Sequence, residues 1–213
     1  MLMEPHISGT VLILAIGMTM IFVGGTKIRY FIGLLFAAAG GVIGIVAIKG
    51  VDYAKVRIQG WLDPFSDVQA GTFQTVQSLL AIGSGGWLGL GLANSRQKYL
   101  YLPESQNDFI FSIVCEELGY IGAIIVIILF VLFVYRGLMI SIKAPDKFGS
   151  LLALGLTVQI GFQAMLNIAV VSNTIPNTGI SLPFFSYGGT ALMMQLAQMG
   201  VILNISRQSV LKT

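Results

Sequence analysis

The sequence predicts an all-α, polytopic integral membrane protein, and two observations carry this prediction. Hydrophobic residues make up 55% of the 213 residues and charged residues only 10%, whereas ordinary soluble domains carry about 25% charged residues. The few charges are also segregated, since none occurs between Lys147 and Arg207. A membrane-spanning helix needs about 20 apolar residues, and several uncharged runs approach or exceed that length.

The uncharged runs, with the basic residues that follow most of them, predict about five transmembrane helices in a single membrane domain, 1–213. Lys27 and Arg29 follow the first run, Lys49 the second, and Arg136 and Lys143 the third. A large outer loop, 49–107, containing interfacial helices, separates the second span from the third. The predicted spans are about 10–25, 31–48, 108–135, 148–171 and 187–205.

Orientation follows from the short loops, because Lys and Arg concentrate on the cytoplasmic side of a membrane. If the helices alternate, the basic residues of the short loops fall on one side, together with the C-terminus. Loops 49–107 and 172–186 then face outward. The net charge of +3 fits basic cytoplasmic loops better than a nucleic-acid surface.

One uncharged run, Val68–Ser95, allows two interpretations. It contains several glutamines and five glycines between Gly83 and Gly91, and each glycine weakens a helix by up to about 1 kcal/mol relative to alanine. We interpret Gln74–Ile82 as a helix that lies in or dips into the interface, followed by a glycine-rich turn. The alternative is a sixth span.

Cysteine and histidine chemistry is nearly absent. Cys115 is the single cysteine and His6 the single histidine, so the sequence offers neither an internal disulfide nor a His- or Cys-based metal site. We therefore predict no metal ligands among the candidate residues.

Asp108 follows Pro103 and begins the predicted third span. An aspartate there can simply cap the helix, where free backbone N–H groups and the helix dipole stabilise it. The functional alternative is a carboxylate placed at the membrane surface, near Glu104 and Lys98.

Glu116 and Glu117 lie inside an apolar run. A carboxylate in hydrocarbon is costly unless it is paired or faces water, which makes each a functional candidate by default. The alternative is a purely structural role, in which both pair with polar groups on neighbouring helices. At 100° per residue, neither shares a helix face with Asp108.

Two further sets complete the candidates. Arg57, Arg96 and Lys98 are outer-side cations that suit a phosphate or pyrophosphate, or that anchor lipid headgroups. The segment 173–189 is rich in turn residues, and it is either a connector or cavity-lining backbone. Its Ser186 and Tyr187, with Glu116 and Glu117, are taken as supporting residues.

Four motifs resemble the FtsW/RodA/SpoVE family, and the resemblance covers nearly the whole chain. They are Gln77-Ser-Leu-Leu-Ala-Ile-Gly-Ser-Gly-Gly, Asn94-Ser-Arg-Gln-Lys-Tyr-Leu-Tyr-Leu-Pro-Glu, Asp108-Phe-Ile-Phe with Glu116-Glu-Leu-Gly, and Gly179-Ile-Ser-Leu-Pro-Phe-Phe-Ser-Tyr-Gly-Gly. The second motif looks closer to the division and sporulation members than to the elongation members.

The resemblance implies a peptidoglycan glycosyltransferase with ten spans in the bacterial cytoplasmic membrane. It would polymerise lipid II at the outer face beside a class B penicillin-binding protein and the division or sporulation machinery, with no nucleic-acid partner. The family's essential aspartate matches Asp108, and Arg57, Lys98 and Glu104 match positions in the same family loop. Asp108 would be the general base, and Arg57, Arg96 or Lys98 would hold the pyrophosphate. A divalent cation could share that task, although the sequence shows no convincing ligand set.

Two departures qualify this expectation. His6 stands where the family's Glu-Pro-Asp-type motif has its aspartate, and the family's preceding spans are missing. We therefore expect a fragment, a split gene product or a mis-assigned start, and an isolated chain without polymerase activity. A precursor transporter using Glu116 and Glu117, or a non-catalytic scaffold, remains an alternative.

Overall fold

The computed structural model describes residues 7–27, 29–30, 33, 40–41, 58–66, 72–98 and 102–210. Within them the regular structure is helical, which confirms the predicted all-α class. Arg57, Glu4–His6 and most of the predicted second span lie outside the described residues. The longer described helices are α1 (Ile7–Val23), α2 (Phe73–Ser84), α3 (Ile110–Ile142), α4 (Lys147–Val171) and α5 (Gly189–Val210).

By length and composition, α3 and α4 can cross a membrane, and α1 contains a shorter apolar stretch, Leu12–Val23. The start of α4 shows why its position was predictable. Asp146 caps the helix by accepting a hydrogen bond from the Gly149 backbone N–H (3.0 Å), as an N-cap aspartate should. The helix begins one residue before the predicted span, while α5 begins two residues after its own.

Close packing of small residues joins α3 to α4. A Cβ added to Gly137 would lie 2.3 Å from Thr157 Oγ1, and one added to Gly161 would lie 2.8 Å from Val134 Cγ2. Small residues let helix backbones approach in this way inside membranes. Residue numbers fall along α3 as they rise along α4, so this part of α3 is antiparallel to α4.

The first part of α3 runs in the opposite sense. The Asn167 side chain donates to the Asp108 carbonyl oxygen (2.7 Å). Ser78 Oγ lies 2.7 Å from Ser112 Oγ and donates to the Val171 carbonyl oxygen (2.7 Å). Residues 108 and 112 therefore rise alongside residues 167 and 171, parallel to α4.

The chain reverses at Gly119, whose φ of 68° and ψ of −170° are not helical. Only glycine adopts such a conformation at little cost. The expectation of an uninterrupted helix over 108–135 is therefore wrong. Segments 110–118 and 120–142 are two helical pieces that meet at Gly119, and the second piece alone, about 34 Å long, matches a hydrocarbon core of about 30 Å.

The glycine-rich turn after α2 packs against α3 at the point where the chain reverses direction. A Cβ on Gly85 or Gly89 would lie 2.1 Å from the carbonyl oxygen of Cys115 or Glu117, respectively, so these glycines permit backbone-to-backbone contact with α3. Backbone N–H and C=O groups that lose their helical hydrogen bonds near Gly119 need other hydrogen-bond partners. The N–H groups of Leu90 and Gly91 donate to the carbonyls of Glu116 and Glu117, and those of Tyr120 and Ile121 donate to the carbonyls of Gly86 and Trp87.

These contacts confirm the interpretation of a short helix and a glycine-rich turn. With 12 residues, α2 is about 18 Å long, which is too short to cross a bilayer alone.

Candidate active site

Asp108 lies at the end of an irregular segment, 102–109, just before α3. The N-cap position is Phe109 and no side chain caps the helix, so Asp108 is not the helix cap that the bland interpretation expected. Phe109 is only 2% exposed and fixes the segment in the core. Burial raises the pKa of the half-buried Asp108 carboxyl, and the nearby Glu104 carboxylate raises it further.

The segment 173–188 packs directly against the Asp108 segment. Ser186 Oγ donates to the Asn107 carbonyl oxygen (2.6 Å) and accepts from the Leu182 N–H (2.7 Å). The Tyr187 N–H donates to the Gln106 carbonyl oxygen (2.8 Å). The candidate residues Ser186 and Tyr187 therefore support the Asp108 segment through its backbone.

The approach between these segments is close at Gly179. A Cβ there would lie 3.2 Å from Asp108 Oδ2, and the φ of Gly179 is +63°. The absence of a side chain lets the Gly179 backbone pack against the Asp108 carboxyl. Segment 173–188 therefore lies beside Asp108, and whether it lines a cavity stays a prediction.

Glu116 lies in the apolar run, but loop 94–98 covers its carboxylate. It is 1% exposed and accepts a hydrogen bond from the Ser95 hydroxyl. It also accepts from the N–H groups of Arg96 (3.0 Å) and Gln97 (3.3 Å). Its partners are therefore in this loop, and not on a neighbouring helix as the bland interpretation expected.

Glu117 contacts the same loop through Lys98 and Ser95. Its Oε1 lies 2.8 Å from Lys98 Nζ in an ion pair and accepts from the Ser95 N–H at 3.4 Å. Lys98 therefore contacts a carboxylate of α3, while the Arg96 side chain is exposed. Whether either cation binds substrate stays a prediction.

Glu104 adopts a left-handed backbone conformation with φ of 53°. Its side chain is exposed, and its Oε2 accepts a hydrogen bond from Asn107 Nδ2. This turn places its carboxylate close enough to Asp108 to influence its pKa. Substrate binding by Glu104 stays a prediction.

Sequence reasoning missed Asn167 of α4, which is fully buried. Its side chain donates to the carbonyl oxygens of Asp108 (2.7 Å) and Ile180 (2.6 Å). One helical turn earlier, Gln163 donates to the Ser181 carbonyl oxygen (3.1 Å). Amides within a long uncharged helix are a signal that could have identified both residues, because buried polar groups need partners.

Several buried oxygens around Asp108 have no hydrogen-bond partner. They are Asn107 Oδ1, Asn167 Oδ1 and Thr178 Oγ1. All belong to residues that neighbour Asp108 or Gly179 in sequence or bond to the Asp108 backbone. Among the residues that the structure describes, no group of three or more His, Cys, Asp or Glu side chains could hold a metal ion.

An apolar groove runs between α3 and α4 on the outer surface of the helix pair. Its volume is about 650 Å³, and Phe130, Val134, Phe162 and Met165 are among its lining residues. Asp108 is not among its lining residues, whereas Thr174 of segment 173–188 is.

Comparisons with known proteins agree with this architecture. A family model for FtsW, RodA and SpoVE, described as "Cell cycle protein", matches residues 1–211. Stage V sporulation protein E of Bacillus subtilis (strain 168) is 44% identical over 206 residues, covering 97% of this chain and 56% of that protein. The probable peptidoglycan glycosyltransferase FtsW of Geobacter sp. (strain M18) is 42% identical over 206 residues, covering 96% and 56%.

A solved structure supports the same assignment. One chain of a peptidoglycan synthase complex superposes with a TM-score of 0.75 at 30% identity, and the match covers 98% of this chain and 57% of that one. The present chain thus spans about half the length of the relatives it matches. These matches and the helical membrane architecture show that the chain belongs to the FtsW/RodA/SpoVE family of cell cycle proteins.

Proposed function

We propose that this chain forms the Asp108-bearing half of a peptidoglycan glycosyltransferase that polymerises lipid II in cell division or sporulation. The observation that supports the proposal most is the placement of Asp108. Its carboxyl is half-buried just before α3 and packs against the backbone of Gly179, and its backbone is held by α4. The relative from Geobacter is named a probable peptidoglycan glycosyltransferase.

In the proposed reaction, a hydroxyl oxygen of the acceptor sugar forms a bond to the anomeric carbon of the donor. The bond between that carbon and the pyrophosphate breaks, and the pyrophosphate leaves with the bonding electrons. Asp108 accepts the proton of the attacking hydroxyl, a role typically worth 10²–10⁴-fold in rate. The raised pKa of Asp108 makes its carboxylate a better base than an ordinary aspartate.

The leaving group requires positive charge, since a pyrophosphate carries several negative charges. Arg96 is exposed and is one proposed cation, while Lys98 would have to share its ammonium with Glu117. Arg57 belongs to the same proposal, and a divalent cation would serve the same purpose.

A transporter of lipid-linked precursor is the alternative function. It would need a polar path across the membrane, for which Glu116 and Glu117 were the candidates. Both carboxylates are engaged with loop 94–98, which favours the polymerase. A scaffold without catalysis would leave the half-buried Asp108 carboxyl without a role.

We propose the bacterial cytoplasmic membrane as the location, with the C-terminus inside and the Asp108 region facing outward. A class B penicillin-binding protein is the proposed partner, alongside division or sporulation proteins. The groove between α3 and α4 suits a single membrane-spanning helix of such a partner, because its walls are aliphatic and aromatic. The solved match to a peptidoglycan synthase complex supports an assembly of this kind.

Asp108→Asn tests the proposed function. Because the chain spans about half of its relatives, the assay uses a chimaera in which the preceding half of the Bacillus subtilis relative is joined to this chain. The amide has the size of the carboxyl but no useful basicity, so polymerisation of labelled lipid II should fall at least about 10²-fold. Glycan products are resolved on a gel.

Pro103→Ala provides the matched control, since Pro103 is exposed in the same segment and bears no ionisable group. It should retain most of the polymerase rate at equal expression. An Asp108→Asn chimaera that polymerises at near the parental rate would exclude Asp108 as the base.

A further inference from the structure

Asn167 joins two segments that are far apart in sequence. Its side-chain nitrogen donates to the Asp108 carbonyl oxygen, 59 residues away along the chain, and to the Ile180 carbonyl oxygen, 13 residues away. Both bonds are short, at 2.7 and 2.6 Å. A single amide group therefore fastens the Asp108 segment and segment 173–188 to the same turn of α4.

The orientation of this amide follows from its neighbours. Both partners are carbonyl oxygens, which accept hydrogen bonds only, so the NH₂ end must face them. The Oδ1 end then points elsewhere, and it is buried without a hydrogen-bond partner. A buried acceptor without a partner in the protein is available to a water molecule or to an O–H or N–H group of a ligand.

We propose that Asn167 is a positioning residue that sets the place of the Asp108 carboxyl through the backbone of Asp108. The kinetic part of this inference rests on the proposed glycosyl transfer. The positioning part stands on the contacts alone.

Replacement of Asn167 has a definite structural consequence. Asn167 is 0% exposed, so an apolar side chain would leave the carbonyl oxygens of Asp108 and Ile180 buried without these donors, which is costly. Both segments would then shift. A displacement of about 1 Å at a reacting group can cost roughly 10²-fold in rate.

Gln163 supplies the matched control. It lies one turn earlier on α4, and its side chain donates to the carbonyl oxygen and the hydroxyl of Ser181. It contacts segment 173–188 but, in the hydrogen bonds described, not the Asp108 segment. Gln163→Leu should therefore loosen one segment, and Asn167→Leu both.

Hydrogen–deuterium exchange of the purified 213-residue chain in lipid nanodiscs is the first experiment. Asn167→Leu should accelerate amide exchange in 106–112 and in 180–187. Gln163→Leu should accelerate it mainly in 180–187 and affect 106–112 less than Asn167→Leu does, because it removes no direct bond to the Asp108 segment. Asn167→Ala is measured in parallel, because its smaller side chain admits water to the two carbonyls and folds if the leucine variant does not. Unchanged exchange in 106–112 in the folded variant would overturn the positioning role.

Kinetics of the chimaera are the second experiment. Asn167→Ala should lower kcat about 10- to 100-fold with little change in KM for lipid II, because Asn167 acts through the Asp108 backbone, whereas Pro103→Ala should keep kcat within about threefold. A kcat near the parental value for Asn167→Ala would overturn the proposal. If the parental chimaera lacks activity while exchange behaves as expected, the proposed function fails and the positioning role stands.

Discussion

At the scale of single residues, we expect replacement of the two adjacent glutamates of α3 to lower stability by different amounts. Glu116 is 1% exposed and accepts three hydrogen bonds from loop 94–98, whereas Glu117 forms a partly exposed ion pair with Lys98. Glu116→Gln places an NH₂ group against N–H donors, and each lost bond to a charged acceptor is worth about 1.5–3 kcal/mol. Glu117→Gln should cost about 1 kcal/mol or less.

Thermal denaturation in detergent, followed by fluorescence or by aggregation, measures this difference. Lys98→Met is the companion to Glu117→Gln, and both should melt close to the parental protein. Equal losses of stability for Glu116→Gln and Glu117→Gln would contradict the assignment of Glu116 as the anchor of the loop.

The sequence identified both glutamates as unusual, because carboxylates are rare in apolar runs. It could not identify their partners. Ser95 and Arg96 lie about 20 residues earlier, beyond a proline and an irregular segment. Packing of the glycine-rich turn on α3 brings them against the two glutamates. Asn167 escaped notice for a related reason, since the backbone carbonyls that it binds leave no trace in the sequence.

At the scale of elements, the contact between the glycine-rich turn and α3 depends on missing side chains. Gly89 has φ of +77°, and a Cβ there would lie 2.1 Å from the Glu117 carbonyl oxygen. Gly89→Ala should therefore separate the turn from α3 and lower the melting temperature markedly. Gly83→Ala is the control, because nothing lies within 4 Å of its Cβ position and alanine favours the α2 helix.

Circular dichroism melts of the two variants in the same detergent test this prediction. Gly83→Ala should melt at or above the parental temperature. A Gly89→Ala variant that is as stable as Gly83→Ala would show that the turn is not packed against the reversal.

Helix positions illustrate what periodicity and charge can and cannot predict. The start of α4 was predicted within one residue, because the charged residues end at Lys147. The reversal within α3 was not predicted, because Gly119 lies inside the uncharged run Leu118–Tyr135, and a single glycine is usually tolerated inside a membrane helix. Its conformation follows from tertiary contacts with the turn after α2.

At the scale of the whole molecule, two aromatic side chains lie where the chain reverses direction near Gly119. Trp87 is 75% exposed, and its ring lies 5.9 Å from that of Tyr120. Tryptophan and tyrosine concentrate at membrane–water interfaces. Segment 120–142 begins at this point, so we expect Trp87 to lie at the outer headgroup level.

Fluorescence quenching tests this depth, because the chain contains only two tryptophans. In a Trp61→Phe variant in vesicles, lipids brominated near the headgroup should quench Trp87 more than lipids brominated near the chain ends. The control is a Trp61→Phe, Trp87→Phe protein that carries Leu129→Trp in the middle of α3. There, lipids brominated near the chain ends should quench more than lipids brominated near the headgroup. Strong acrylamide quenching of Trp87 without lipid quenching would place the reversal in water or against a protein partner.

The parallel course of 108–112 and 167–171 also bears on how a membrane-tethered substrate would reach Asp108 in the proposed reaction. Asp108 is level with Asn167, four residues inside the outer end of α4, which corresponds to about 6 Å along the helix axis. A sugar carried on a membrane-embedded chain would then react without being drawn away from the bilayer surface. The anchor could stay in the leaflet through successive additions, and the finished polymer would leave by moving outward while its tethered end remained in place.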